Sequence, residues 1–304
     1  MTTLPLTFTP DTPALTVLSL GLGQDSVAML YAIIHHPTFR QQFCPGRLLI
    51  LSSETGDEHR KTYLVQAELE TWCRQHQLDY THITPAMGFH SPNWQSLRQF
   101  YRTHHMIGSK SYNATCSSQL KISPLYRYLG HWLAITYGLS PLRKNSFIQF
   151  RNQHGPIRML IGFSKGEERR RADPNTFPKW KRYSIEMSYP LIELGWDRTR
   201  CQEFTKELGY PVPPPSNCML CPYMTKLELL WLARHHPDDY QEWVELEAQK
   251  LRRWEHLGDK NYGVWGKKSL PMILTEAERD YGHLSNGELD AIKFTRGHHV
   301  QSKF

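Results

Sequence analysis

The chain has 304 residues, of which 39% are hydrophobic, 21% charged and 12% aromatic. That is length enough for one large α/β domain with or without an appendage, and the mixture excludes disordered, fibrous and collagen-like classes. A net charge of +7 favours polyanionic partners over cationic ones.

Residues 1–14 read as an N-terminal extension without the basic-then-apolar pattern of a secretory leader. Residues 15–20 form an apolar run too short for a helix. Residues 24–35 follow with Val27, Leu30, Tyr31 and Ile34 at helical spacing, so the segment predicts strand, glycine turn, helix. The pattern then repeats. Residues 47–52 predict a buried strand, 59–76 a helix with Val65, Leu69, Trp72 and Cys73 on one face, and 78–83 a third strand. A stretch rich in Gly, Ser, His and Asn leads to a helix over 118–137, interrupted near Pro124. Strands over 157–162 and 186–189 and a helix over 197–208, opened by Asp197 and closed by Gly209, complete the series.

Such alternation predicts an open, mostly parallel five-stranded α/β sheet with helices on both faces. The turns at Gly21, Glu54 to Gly56 and Gly162 then gather at the carboxyl ends of the strands, where ligands bind. Beyond residue 225 the strand period is lost. Thr225 to Glu228 is a capping box and 238–257 a second helix, so residues 225–304 are expected to be a helical appendage on a domain spanning 15–224.

No apolar run approaches the ~18 residues of a membrane span. Six cysteines, at positions 44, 73, 116, 201, 218 and 221, are too few and too scattered for a disulfide scaffold. The expectation is a cytoplasmic protein with no membrane partner and reduced thiols. In that setting a Cys-x-x-Cys pair such as Cys218 and Cys221 points to metal or redox chemistry.

Two further features carry chemistry. In Ser19-Leu20-Gly21-Leu22-Gly23-Gln24-Asp25-Ser26 a glycine turn opens a helix, which lets backbone N–H groups and the helix dipole meet phosphate oxygens. An unliganded tight turn explains two glycines equally well. Between residues 165 and 182 seven basic side chains stand against three acidic ones, interleaved with Phe177, Trp180 and Tyr183. Arg170, Arg171, Lys179, Trp180, Lys181 and Arg182 are the candidates for gripping and stacking a nucleic acid, the alternative being a solvated loop.

The glycine segment resembles the pyrophosphate loop of the adenine nucleotide α-hydrolase superfamily, and specifically its phosphoadenosine phosphosulfate (PAPS) reductase-like branch. Gly23, Asp25 and Ser26 match that loop, whereas Gly21 stands for its usual Ser and Leu22 for a usual Gly. Ser53 to Glu58 resembles the Asp-Thr-Gly turn after the second strand. Cys116 with Leu120-Lys121-Ile122 and Pro124, then Ile161-Gly162-Phe163-Ser164 through Glu167, Glu168 and Arg169, and then Tyr189-Pro190-Leu191, follow in the branch's order.

The resemblance implies ATP and Mg²⁺ held by Ser19, Gly21, Gly23, Asp25 and Ser26, with Glu54, Thr55 and Gly162 near the nucleotide. Asp25, Lys121 and Arg169 become the catalytic candidates. It also brings Cys116 to the sheet edge near Cys218 and Cys221. Three thiolates suit a [4Fe–4S] cluster with one open iron, whereas a closed cluster or structural zinc takes four ligands. Zinc with a histidine as fourth ligand and a redox dithiol remain alternatives. Cys44, Cys73 and Cys201 are expected to be structural.

The implied function is an ATP pyrophosphatase that adenylates DNA or tRNA and inserts sulfur, similar to the adenylating subunit of DNA phosphorothioation systems. A cysteine desulfurase or other sulfur donor, and a second copy of the chain, are the expected partners. A non-catalytic nucleotide-binding subunit is one rival. A sulfonucleotide reductase is another, but it uses a C-terminal catalytic Cys, and the last cysteine here is Cys221.

Overall fold

Leu15–Ser19 (β1) lies at the centre of a five-stranded sheet in which every pairing is parallel and the order is β3-β2-β1-β4-β5. The computed structural model describes residues 13–112 and 115–295. The expected extension over 1–14 lies almost wholly outside the described residues. The elements after β1 are α1 (Gln24–His35), α2 (Pro37–Phe43), β2 (Arg47–Ser53), α3 (Arg60–Gln75), β3 (Asp79–Ile83) and α4 (Leu97–His104). Then come α5 (Ser123–Tyr137), α6 (Asn145–His154), β4 (Ile157–Ile161), α7 (Lys179–Ser184), β5 (Ile185–Ser188), α8 (Pro190–Glu193) and α9 (Arg198–Glu207). Four C-terminal helices follow: α10 (Lys226–His235), α11 (Pro237–Arg253), α12 (Leu270–Tyr281) and α13 (Asn286–Thr295). The α/β open sheet and the helical appendage are as the sequence predicts.

Alternation along the strands builds two cores. Leu18, Ile50 and Leu160 face α1, α2, α3 and α9, while Leu15, Val17, Leu49, Leu51 and Met159 face α5 and α6. Strands covered on both faces read as continuous apolar runs, as these do. The chain steps outward from β1 to β2 and β3 on one side and to β4 and β5 on the other. The strand order therefore reverses beside β1, and the crevice lies at its carboxyl end.

The helix expected over 118–137 is two pieces. Ser117–Ile122 is a π-helical turn, and Pro124 sits in the first turn of α5, where its missing N–H costs nothing. A third apolar cluster joins α4, the Cys218–Cys221 loop and α10 to α13. There the Thr225–Glu228 capping box forms, and Glu228 also pairs with the buried Lys293 of α13 at 2.8 Å. No helix among the described residues is long and apolar enough to cross a membrane.

His59 sits where the two parts meet. Its Nδ1 accepts from the Lys61 N–H at the start of α3 (3.1 Å), and its ring packs on Trp231, His236 and Phe294. Burial, with the nearby His236 and Lys293, pushes it down to about 4 from an ordinary 6.5. The unfolded chain thus takes up this proton through pH 6.5 and the folded one only near pH 4. Stability is expected to fall by up to about 3 kcal/mol between those values. Denaturant titrations from pH 7 to 4 should show this slope, and His59→Asn, which keeps a cap acceptor, should flatten it.

Candidate nucleotide pocket and thiol cluster

Ser19 is in register with Leu51 of β2 and Ile161 of β4, so the chain leaves β1 between the ends of its two neighbours. Leu22 then adopts φ +60°, the left-handed conformation that glycine favours. Its side chain is buried against α1, which offsets the strain. Gly23 is extended at the N-cap of α1, a twelve-residue helix, and supplies no side-chain hydrogen bond. The start of that helix borders a cavity of about 220 Å³ that runs from the glycine turn past Ser52, Ser53 and Glu54 on one side and Gly162 and Phe163 on the other. Polar N–H groups at the mouth of a helix and an adjoining cleft suit a phosphate-bearing ligand.

Gly162 is needed for contact. A Cβ there would lie 2.8 Å from the Ser26 Cα, in the first turn of α1. Gly23 is tight as well, with the Ser216 backbone nitrogen 3.4 Å from such a Cβ, whereas Gly21 is open to 3.7 Å.

Charged groups are linked along the pocket wall. Asp25 is buried, pairs with Arg198 at 3.2 Å and accepts from the Ser164 hydroxyl at 3.4 Å. Glu167 accepts from the Ser164 N–H at 3.2 Å and pairs with Arg170 at 2.7 Å. Arg170 also lies over the Phe163 ring, 4.0 Å from its centre. Arg198 and Arg170 line the cavity. Arg169, the arginine nominated from sequence, is exposed and does not line it. The three-residue 3-10 turn at Glu168–Arg170 presents its last residue inward instead.

Across the cavity, Glu54 accepts from the Gly56 N–H (2.6 Å) and the Tyr63 hydroxyl (2.9 Å), with His82 Nε2 at 3.4 Å. Burial acts to raise its pKa, but the hydrogen bonds from His82, Gly56 and Tyr63 outweigh it and hold the carboxyl below its ordinary range. Thr55 lies behind this wall and donates to Glu58 at 3.2 Å.

Glu58 links two regions. Besides Thr55 it meets Lys121 at 3.0 Å, the Ser216 hydroxyl at 3.2 Å and the Cys218 thiol at 3.6 Å. Burial works to lower the Lys121 ammonium, yet the Glu58 carboxylate keeps it above its ordinary value. Beyond Cys218, the thiols of Cys116 and Cys221 belong to the same apolar cluster. Burial raises all three, Cys221 to about 12, so without a ligand they are neutral thiols. Among the described residues no three His, Cys, Asp or Glu side chains are arranged to hold a single metal ion. Cys44, Cys73 and Cys201 are buried in the core beneath α1 and α3.

The basic segment differs from expectation. Trp180 packs edge-on against Tyr126 and 4.8 Å from Phe147, and Lys181 is buried with its amine over Tyr126 and Phe177. Neither is a surface platform, because the short helix α7 turns both toward the sheet. Burial pushes Lys181 down to about 8. Arg171, Lys179 and Arg182 remain exposed.

Of the sequence-nominated set, Ser19, Gly21, Gly23, Asp25, Ser26, Glu54, Lys121 and Gly162 come together around the cavity. Arg198, Glu58, Tyr63 and His82 join them without having been nominated. Glu58 was legible as the last residue of the Ser53 to Glu58 turn. Arg198 was not, since nothing local to α9 announces an ion pair 173 residues away.

No protein-family model matches the chain, and no curated protein sequence matches it.

Gly162→Ala is expected to destabilise the fold by ~1–3 kcal/mol through overpacking against α1 and to weaken binding of a phosphate-bearing ligand in the cavity. Gly21→Ser should do neither. Thermal unfolding and nucleotide titration of the two variants make the comparison.

Proposed function

We propose that this protein is an ATP-dependent, AMP- and pyrophosphate-forming enzyme that adenylates a nucleic-acid oxygen and replaces it with sulfur. The observation that carries the reading is Glu58, whose carboxylate touches Lys121 in the nucleotide cavity and Cys218 of the thiol cluster at once. A pocket for activation and a set of sulfur ligands therefore share a wall.

In the activation step a substrate oxygen attacks the α-phosphorus of ATP, and the bond to pyrophosphate breaks. The open N-terminus of α1 receives the departing phosphates. Asp25 fixes Arg198 and Glu167 fixes Arg170, so both guanidiniums are oriented before the substrate arrives. With Lys121 they offer cations where negative charge develops, and magnesium on the phosphates adds to this. A sulfide-level nucleophile from the sulfur donor then attacks the activated position, the bond to the substrate oxygen breaks, and AMP leaves carrying that oxygen.

Cys116, Cys218 and Cys221 are the residues that would hold a [4Fe–4S] cluster, which supplies an iron with a coordination position left open for sulfur. The fit rests on their shared apolar enclosure and on thiols that give up protons only to a ligand. The acceptor, DNA or tRNA, is inferred from the net charge of +7 and the exposed Arg171, Lys179 and Arg182.

Two sets of variants are expected to separate the halves of the reaction. Asp25→Ala and Ser26→Ala should abolish pyrophosphate release while retaining iron after anaerobic reconstitution. Cys116→Ser, Cys218→Ser and Cys221→Ser should lose most of the iron and its brown absorbance yet still release pyrophosphate. Wild-type release rates in the first set, or intact iron in the second, would overturn the assignment.

Nucleic-acid affinity should respond to Lys179→Ala and Arg182→Ala, each lost phosphate contact lowering the slope of log affinity against log salt by about 0.7–0.9. Lys181→Ala should leave that slope unchanged, because its amine is enclosed.

A further inference from the structure

Tyr101, in α4, is 2% exposed, and its hydroxyl is buried without a hydrogen-bond partner of ordinary geometry among the described residues. A buried hydroxyl left in this way is costly, so its position asks for a reason. The backbone N–H of Gly108 lies beside it, but an N–H is a donor and gives the hydroxyl proton nowhere to go. Gly108 is a glycine for contact: a Cβ there would lie 2.7 Å from both the Tyr101 oxygen and Pro222 Cγ. The hydroxyl and Pro222, the residue that follows Cys221, thus border the same small space beside Gly108.

Tyr101 shares its buried apolar cluster with Cys116, Cys218 and Cys221, and negative charge on those sulfurs would act on its hydroxyl. Neutral thiols are weak acceptors. Sulfur that is deprotonated on ligating a metal centre is anionic and a good one.

We propose that the Tyr101 hydroxyl is a hydrogen-bond donor to a sulfur of the three-cysteine centre, held ready for it by the apolar packing of α4. This rests on the iron–sulfur reading above. It adds a residue that tunes the centre without binding iron. A donor to cluster sulfur favours the reduced, more negative state, so hydrogen bonds to sulfur raise a cluster's potential.

Tyr101→Phe removes the oxygen and keeps the ring, so iron content after anaerobic reconstitution should match wild type. Its reduction potential should be lower, with a roughly tenfold change in the oxidised-to-reduced ratio at a fixed potential, equal to about 59 mV for one electron. Without iron the variant should melt no earlier than wild type, since the hydroxyl then has no acceptor. With iron it should melt earlier. Wild type that binds no iron would overturn the iron–sulfur reading and this role with it. Wild type that binds iron, paired with a Tyr101→Phe protein of unchanged potential, would overturn the role of Tyr101 alone. A purely structural tyrosine would shift both melting temperatures together and leave the potential where it was.

Discussion

The relation between the sheet and the Cys218–Cys221 loop depends on Asp57. Its backbone carbonyl accepts from the Met219 N–H at 2.7 Å and its side chain from the Leu220 N–H at 3.2 Å. The same carboxylate pairs with Arg98 at 2.7 Å, and Arg98 reaches on to Asp239 and Glu242 of α11. One guanidinium therefore connects the turn after β2, the start of α4 and the appendage. A buried pair of this kind adds little net stability over an apolar contact, yet removing one partner costs ~3–5 kcal/mol. What it supplies is register. The cysteine loop can sit against the sheet edge in one way only, and Glu58 next door inherits that alignment.

The glycine turn illustrates how a residue of unexpected type can keep a required backbone. A leucine at φ +60° costs ~1–2 kcal/mol relative to glycine. Burying a leucine side chain returns ~1.5–3 kcal/mol. Leu22 is 6% exposed and packs in the core beneath α1, so the two effects roughly cancel. The turn retains its shape and gains an anchor into the domain it crowns.

Much of the fold was legible because the β strands are short apolar runs and α1 carries apolar residues at helical spacing between Gly23 and His36. Asp197 caps α9 through the Arg200 N–H as its position suggested. Helices α2, α4, α6, α7 and α8 were not foreseen, since at ten residues or fewer they are too short for a periodic stripe to stand out, and α12 and α13 were read only as part of a helical appendage. The pocket was half legible. The glycines act through their own backbone, and the Asp25-Ser26 pair follows them directly in the chain, so both are written locally. Arg198 acts through a partner distant in sequence, which periodicity cannot reveal. Trp180 and Lys181 misled because an aromatic beside a lysine reads the same whether the pair faces water or a neighbouring ring. In this chain the rings of Tyr126, Phe147 and Phe177 took them inward.

The π-helical turn at Ser117–Ile122 acts as a phase shift between two helical registers. Its wider hydrogen bonding, in which the Ser123 N–H reaches the Ser118 carbonyl, accommodates one residue more than an α-helix of the same rise. Each residue of an α-helix turns the chain by about 100°. Cys116 caps this turn and Lys121 lies within it, so the residue count between them sets how the two side chains are spaced around the chain axis. Lengths elsewhere in the chain can drift with loops, but between these two side chains the count of residues is itself part of the site.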